Sequence, residues 1–140
     1  CLKKVTNHGI IQHAKEKEYV KELLKSIQTK YGSTEDDASS LSGGNQQKIA
    51  LAKWIAADCK CVVFDEPTRG VDVGAKTEIY KIINNLAENG VAVIMISSEM
   101  PEIIGMCDRV VIMRNGKVTG ELQKEELTEN MMIKYAMGVQ

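Results

Sequence analysis

From Ala14 to Tyr31, the apolar residues Tyr19, Val20, Leu23, Leu24 and Ile27 recur at steps of three and four among charged neighbours. That period predicts an amphipathic helix. It stops at YGSTEDDASS, residues Tyr31 to Ser40, a polar stretch without periodicity that reads as a loop. A second helix is expected over about 45–57, NQQKIALAKWIAA, with Ile49, Ala52, Lys53 and Ala56 as one stripe and Trp54 beside it. Ser42 and the Gly43-Gly44 pair mark its start.

The character then changes. CVVFD (Cys61 to Asp65), VAVIMIS (Val91 to Ser97) and RVVIM (Arg109 to Met113) are continuous apolar runs, the pattern of strands buried on both faces of a parallel sheet. GAKTEIYKIINNLAEN, Gly74 to Asn89, lies between the first two and is stopped by Gly90. Strand, helix and strand make a βαβ unit with the right-handed crossover such units take. Asn115-Gly116 is a hairpin signal, so 117–122 should return antiparallel. TENMMIKYAM closes the chain as a short helix capped by Thr128.

Composition changes this picture little. With 140 residues, 44% of them hydrophobic, the chain can bury one core. It opens on Cys1 and not Met, so a fragment or processed form is expected. The net charge of −1, with both signs well mixed, gives no electrostatic case for nucleic-acid binding. No apolar run reaches the roughly 18 residues that span a bilayer, and no signal-peptide pattern opens the chain. The four cysteines read as reduced thiols that partly fill a core: Cys59 and Cys61 are too close for a zinc knuckle and have no nearby His. His8 and His13 are expected on a solvated face.

GVDVGAKT, Gly70 to Thr77, nearly spells a phosphate-binding loop. The required pattern is G-x-x-x-x-G-K-[ST], yet here three residues separate the glycines and Ala75 intervenes before Lys76. The segment also fails to follow its strand directly. Gly70 and Gly74 therefore shape a loop entering a helix, and Lys76 reads as a first-turn surface residue. The strand before it is more informative. It ends in Asp65-Glu66-Pro67, two carboxylates at the carboxyl edge of a parallel sheet, where open α/β sheets bind ligands. In phosphoryl transfer such an Asp holds Mg²⁺, and a neighbouring acid can polarise the attacking water. Taken alone, the acids and Pro67 could equally just end a strand. LSGGNQQK, Leu41 to Lys48, adds a helix start with two glycines and a hydroxyl, suited to an anion but alone also an ordinary cap.

Together these residues resemble the ATP-binding cassette family: LSGGNQQK its signature motif, CVVFDEP its Walker B strand and catalytic Glu, TRGVD its D-loop. GGNQQK, DEPTRGVDVGAK and SSEMPEIIGMCDR resemble one subgroup, the second nucleotide-binding domain of the tandem ATPase subunit of ribose/galactose-type sugar importers. The resemblance covers about 35–138. It implies an α/β fold, a partial P-loop NTPase with a parallel sheet and flanking helices. An N-terminal helical subdomain (1–57) would carry the signature, and an α/β part (58–140) would end in a β-hairpin. It implies ATP and Mg²⁺ as ligands. Ser42, Gly43, Gly44 and Asn45 would touch the γ-phosphate of ATP held by the opposing domain. Asp65 would be the Mg²⁺-associated acid, Glu66 the base, and Asp72 the D-loop acid that communicates across the dimer. Partners would be the opposing nucleotide-binding domain and the transmembrane permease, with the protein cytoplasmic and peripheral on the inner face of the membrane. The transported sugar would not touch this domain.

Two departures qualify the resemblance. No G-x-x-x-x-G-K-[ST] occurs in the 140 residues, so the P-loop, adenine-stacking aromatic and Q-loop are expected upstream of Cys1, and ATPase activity of the chain alone is not expected. The missing strand should leave apolar edges beside 91–97 and 109–113, closed by strand rearrangement or self-association. Further, where most cassettes carry a γ-phosphate-contacting His, this chain has Ser98, within ISSEM, which leaves open a noncatalytic, ATP-sandwiching half. A cassette ATPase outside transport is the other alternative.

Overall fold

A computed structural model describes residues 2–8 and 10–138. They form two compact units: residues up to 63 together with 67–94, and residues 64–66 together with 95–138.

The first unit begins with a helical turn, α1 (Leu2–Val5), and an antiparallel pair of two-residue strands, β1 (Thr6–Asn7) and β2 (Ile10–Ile11). Helix α2 (His13–Ser26) ends five residues earlier than its apolar period suggests. Gln28 takes a left-handed backbone there (φ 51°), and the chain turns while Ile27 and Thr29 stay buried. A single 3-10 turn (Ala38–Ser40) interrupts the polar loop, and α3 (Gly43–Ala57) follows. Its buried stripe is Gly44, Lys48, Leu51, Ala52 and Ala56, not the stripe through Ile49 and Lys53. Ala52 and Ala56 of the expected stripe are buried, but Ile49 is half-buried and Lys53 exposed, because the buried face runs through Lys48 and Leu51 instead. Trp54 is 52% exposed. Helix α4 (Val73–Glu88) buries Ile79, Ile82, Ile83 and Leu86 and ends at Gly90, whose φ of 82° suits glycine.

Strands β3 (Cys61–Asp65) and β4 (Ala92–Ile96) pair with each other. Hydrogen bonds from Ala92 N–H to Lys60 O and from Glu66 N–H to Ile96 O flank the pair and run in step, so it is parallel. The expectation of strands buried on both faces is corrected. Val62 and Phe64 are buried, but Val63 is 54% and Ile94 53% exposed, because successive side chains of a strand point to opposite faces and only one face is covered.

In the second unit, β5 (Arg109–Arg114) and β6 (Lys117–Gln123) form the expected hairpin. Asn115 (φ 50°) and Gly116 (φ 75°) supply its two left-handed turn residues, and a bulge falls between Ile112 and Met113. Val110, Ile112 and Leu122 make a core with Leu127 and Met132, against which residues of α5 (Met100–Met106) pack. Thr128 caps α6 (Glu129–Met137) as expected, its Oγ1 accepting from Met131 N–H at 3.3 Å. Gly120 lies under the ring of Tyr135.

Among the described residues, strands form three separate two-stranded sheets. β4 and β5 do not pair with each other, so the strand-rearrangement arm of the gap expectation is absent from the observed pairings. Cys59 and Cys107 are half-buried and Cys61 is exposed, so core filling fails for Cys61; Cys1 lies outside the described residues. His8 and His13 are exposed as expected, though His8 sits in the β1–β2 turn. No described helix is long and apolar enough to cross a membrane.

Candidate functional site

Ser42 holds the N-cap position of α3 with extended backbone, but its side chain makes no capping bond. Its Oγ instead accepts from Asn45 Nδ2 at 3.0 Å. Asn45 Oδ1 in turn accepts from the Lys30 N–H at 3.2 Å. The two glycines between them do different work. A Cβ on Gly43 would meet open space, whereas one on Gly44 would lie 2.6 Å from the Ala75 Cβ. Gly44 is thus the contact that seats α3 on the first turn of α4, and Gly43 is where a ligand could approach the main chain.

Asp72 caps α4, its Oδ1 accepting from Ala75 N–H at 3.0 Å. Lys76 lies in that first turn as expected and is half-buried. Deeper in α3, Gln47 Nε2 donates to Pro67 O at 2.8 Å. Lys48 is 2% exposed; its Nζ donates to Gln28 O at 2.9 Å and pairs with Glu78 Oε2 at 2.5 Å. The hydrogen bond from Lys48 holds the Glu78 carboxyl below its ordinary value, with Lys30 and Lys81 adding to the effect. An open cleft of about 260 Å³ is lined by Ser42, Asn45, Asp72, Lys30, Lys48 and Glu78 among others. Sequence reasoning passed over Lys48, Lys30, Gln47 and Glu78. The signal for Lys48 was its phase, since it falls four residues after Gly44 and four before Ala52.

In the second unit, Glu66 follows the exposed Asp65 at the end of β3. Glu66 has φ 47°, a left-handed conformation that costs a non-glycine residue about 1–2 kcal/mol. Its main-chain N–H donates to Ile96 O at 2.8 Å, and its Oε1 accepts from the Ser98 N–H at 3.1 Å. The main chain of Ser98, not its hydroxyl, makes this contact. The neighbouring Ser97 hydroxyl donates to the buried Glu102 carboxylate and accepts from Glu99 N–H. No cluster of three metal-binding side chains occurs among the described residues. A lone exposed carboxylate such as Asp65 still suits Mg²⁺, which takes one or two protein carboxylates and fills its shell with water and phosphate.

The fold is that of an ATP-binding cassette. An ATP-binding cassette solved as a dimer in a post-hydrolysis state with ADP and Pi superposes with a TM-score of 0.73 at 22% identity, covering 84% of this chain and 51% of that one. The ADP conformation of a cassette from an ABC transporter superposes at 0.72, again at 22% identity, covering 92% and 52%. The chain belongs to the ABC transporter family, whose sequence profile matches residues 3–69. It is 50% identical over 99% of its length to a xylose import ATP-binding protein of Geobacillus kaustophilus, and 50% identical over 93% to a ribose import ATP-binding protein of Bacillus subtilis. It spans about a quarter of such relatives, 27% and 26% of their lengths.

Proposed function

We propose that this chain is the signature, Walker B and D-loop portion of an ATP-binding subunit that drives monosaccharide import. In this reading its helical part (1–57) presents Ser42, Gly43, Gly44 and Asn45 to the γ-phosphate of an ATP held by an opposing nucleotide-binding domain. Its α/β part (58–140) carries the acids. Asp65 would hold Mg²⁺, which when bound supplies neutralisation of phosphate charge. Glu66 orients the attacking water and takes its proton, while Ser98 holds the Glu66 carboxylate. Asp72 faces the partner domain. The subunit docks on a transmembrane permease from the cytoplasmic side.

The observation that carries this reading is the Glu66 carboxylate fixed at the end of a β-strand by a main-chain donor, in a backbone conformation that L-residues avoid. Strain held at the carboxyl edge of a sheet beside an exposed acid is what a positioned base requires. The similarity to ribose and xylose import ATP-binding proteins supports the sugar class.

The test is Glu66→Gln in the full-length subunit assembled with its permease. Turnover should fall by about 10²–10⁴ while ATP binding persists, the usual worth of a general base. Unchanged ATP turnover and transport would leave this half a binding partner only. The 140-residue chain should release no phosphate from ATP; release abolished by Glu66→Gln would overturn the assignment of the phosphate cradle to another segment.

A further inference from the structure

A serine at a helix N-cap ordinarily spends its oxygen on a main-chain N–H of the first turn. Ser42 does not. Its hydroxyl has one proton and two lone pairs. One lone pair is taken by Asn45 Nδ2 at 3.0 Å, and no described group accepts the proton. The orientation of the Asn45 amide is fixed from the other side. Lys30 N–H can only donate, so Oδ1 must face it, at 3.2 Å, and Nδ2 must face Ser42. A flipped amide would set two N–H groups against each other.

The peptide that imposes this orientation is itself held. Two residues before Lys30, the Gln28 carbonyl accepts from Lys48 Nζ at 2.9 Å, and Lys48 is anchored to Glu78 on α4. Lys48 is nearly inaccessible, so a second position for its ammonium would bury an uncompensated charge. The donors run one way: Lys30 N–H to Asn45, Asn45 N–H to Ser42, and the Ser42 O–H to whatever occupies the cleft. Such chains polarise one another. A phosphate oxygen, which accepts only, is the ligand this end of the chain fits.

We infer that Asn45 is a positioning residue for the Ser42 hydroxyl, and that Lys48, through the 28–30 segment, holds Asn45 in the working orientation. The inference rests on the reading that Ser42 faces a phosphate. It separates the roles of two residues in the signature motif: Ser42 touches the ligand, and Asn45 aims Ser42.

The test uses the full-length subunit with its permease and MgATP as the probe. Asn45→Asp keeps the acceptor for Lys30 but turns the Ser42 proton inward, toward a carboxylate. Half-saturating ATP should rise about tenfold or more, the worth of one charge-assisted hydrogen bond, with a smaller change in maximal turnover. In a Ser42→Ala background, Asn45→Asp should add little, and so should Lys48→Met. Additive effects would mean that the new carboxylate repels phosphate directly, or that Lys48 acts on folding alone, and either overturns the inference. Asn45→Ala repeats the cycle without adding charge if the Asp variant fails to assemble. If Ser42→Ala itself leaves ATP half-saturation and turnover unchanged, the phosphate reading fails and the inference with it. If Ser42→Ala is impaired while Asn45→Asp and Asn45→Ala match wild type, only the inference fails.

Discussion

The Ser98 main-chain N–H donates to Glu66 Oε1 at 3.1 Å, two residues after the end of β4 and one after the end of β3. Any residue except proline offers that donor. Ser98→Pro should therefore lower ATP turnover of the full-length subunit by about tenfold or more relative to Ser98→Ala, as expected for loss of a hydrogen bond to a charged group. Equal turnover in the two variants would show that this bond does not position the base.

Gly44 against Ala75 is a contact with no room for a methyl group, the would-be Cβ lying 2.6 Å from the existing one. Gly44→Ala should destabilise the protein by about 1–3 kcal/mol, the range for overpacking a tight site. Ala75→Gly should recover part of that loss in the double variant, whereas alone it should only destabilise. Urea midpoints of the four proteins measure the coupling.

Glu78 has its carboxyl held below the ordinary value of 4.5, chiefly by Lys48. A lowered folded-state value means that the contribution is present above the ordinary carboxylate range and lost as the pH falls through the folded value. The stability gap between wild type and Glu78→Gln should thus be largest near neutrality and shrink once the pH falls below the ordinary carboxylate range. Urea titrations at both conditions check it; a gap independent of pH would detach Glu78 from Lys48.

Burial pushes the Cys107 thiol above its ordinary value, while Cys61 is exposed. Iodoacetamide should therefore label Cys61 well before Cys107 near neutral pH, since the thiolate is the reactive form. Peptide mass spectrometry over a time course reads the order directly.

What could be read along the chain was local. The α4 span, its stop at Gly90, the Asn115-Gly116 turn and the Thr128 cap all follow from neighbouring residues. The limits of that reading were physical. The end of α2 depends on a left-handed Gln28, to which no propensity points. The alternating exposure of β3 and β4 depends on which neighbours cover them, and an all-apolar run hides that choice. At the site, the motif letters placed Ser42, Asp65 and Glu66 on their elements. The hydrogen bond from Lys30 to Asn45 spans 15 residues and uses a main-chain donor, so no side-chain identity at position 30 could announce it. Lys48 was legible only by helical phase, and the expected stripe gave the buried lysine position to Lys53 instead.

The uncovered side chains Val63 and Ile94, each more than half exposed, have a practical consequence. Water gains by losing such a row, so residues 2–138 prepared by themselves should become larger species as they are concentrated. Light scattering or sedimentation across a dilution series would see that growth, and any affinity measured on the isolated chain would carry the dilution at which it was taken.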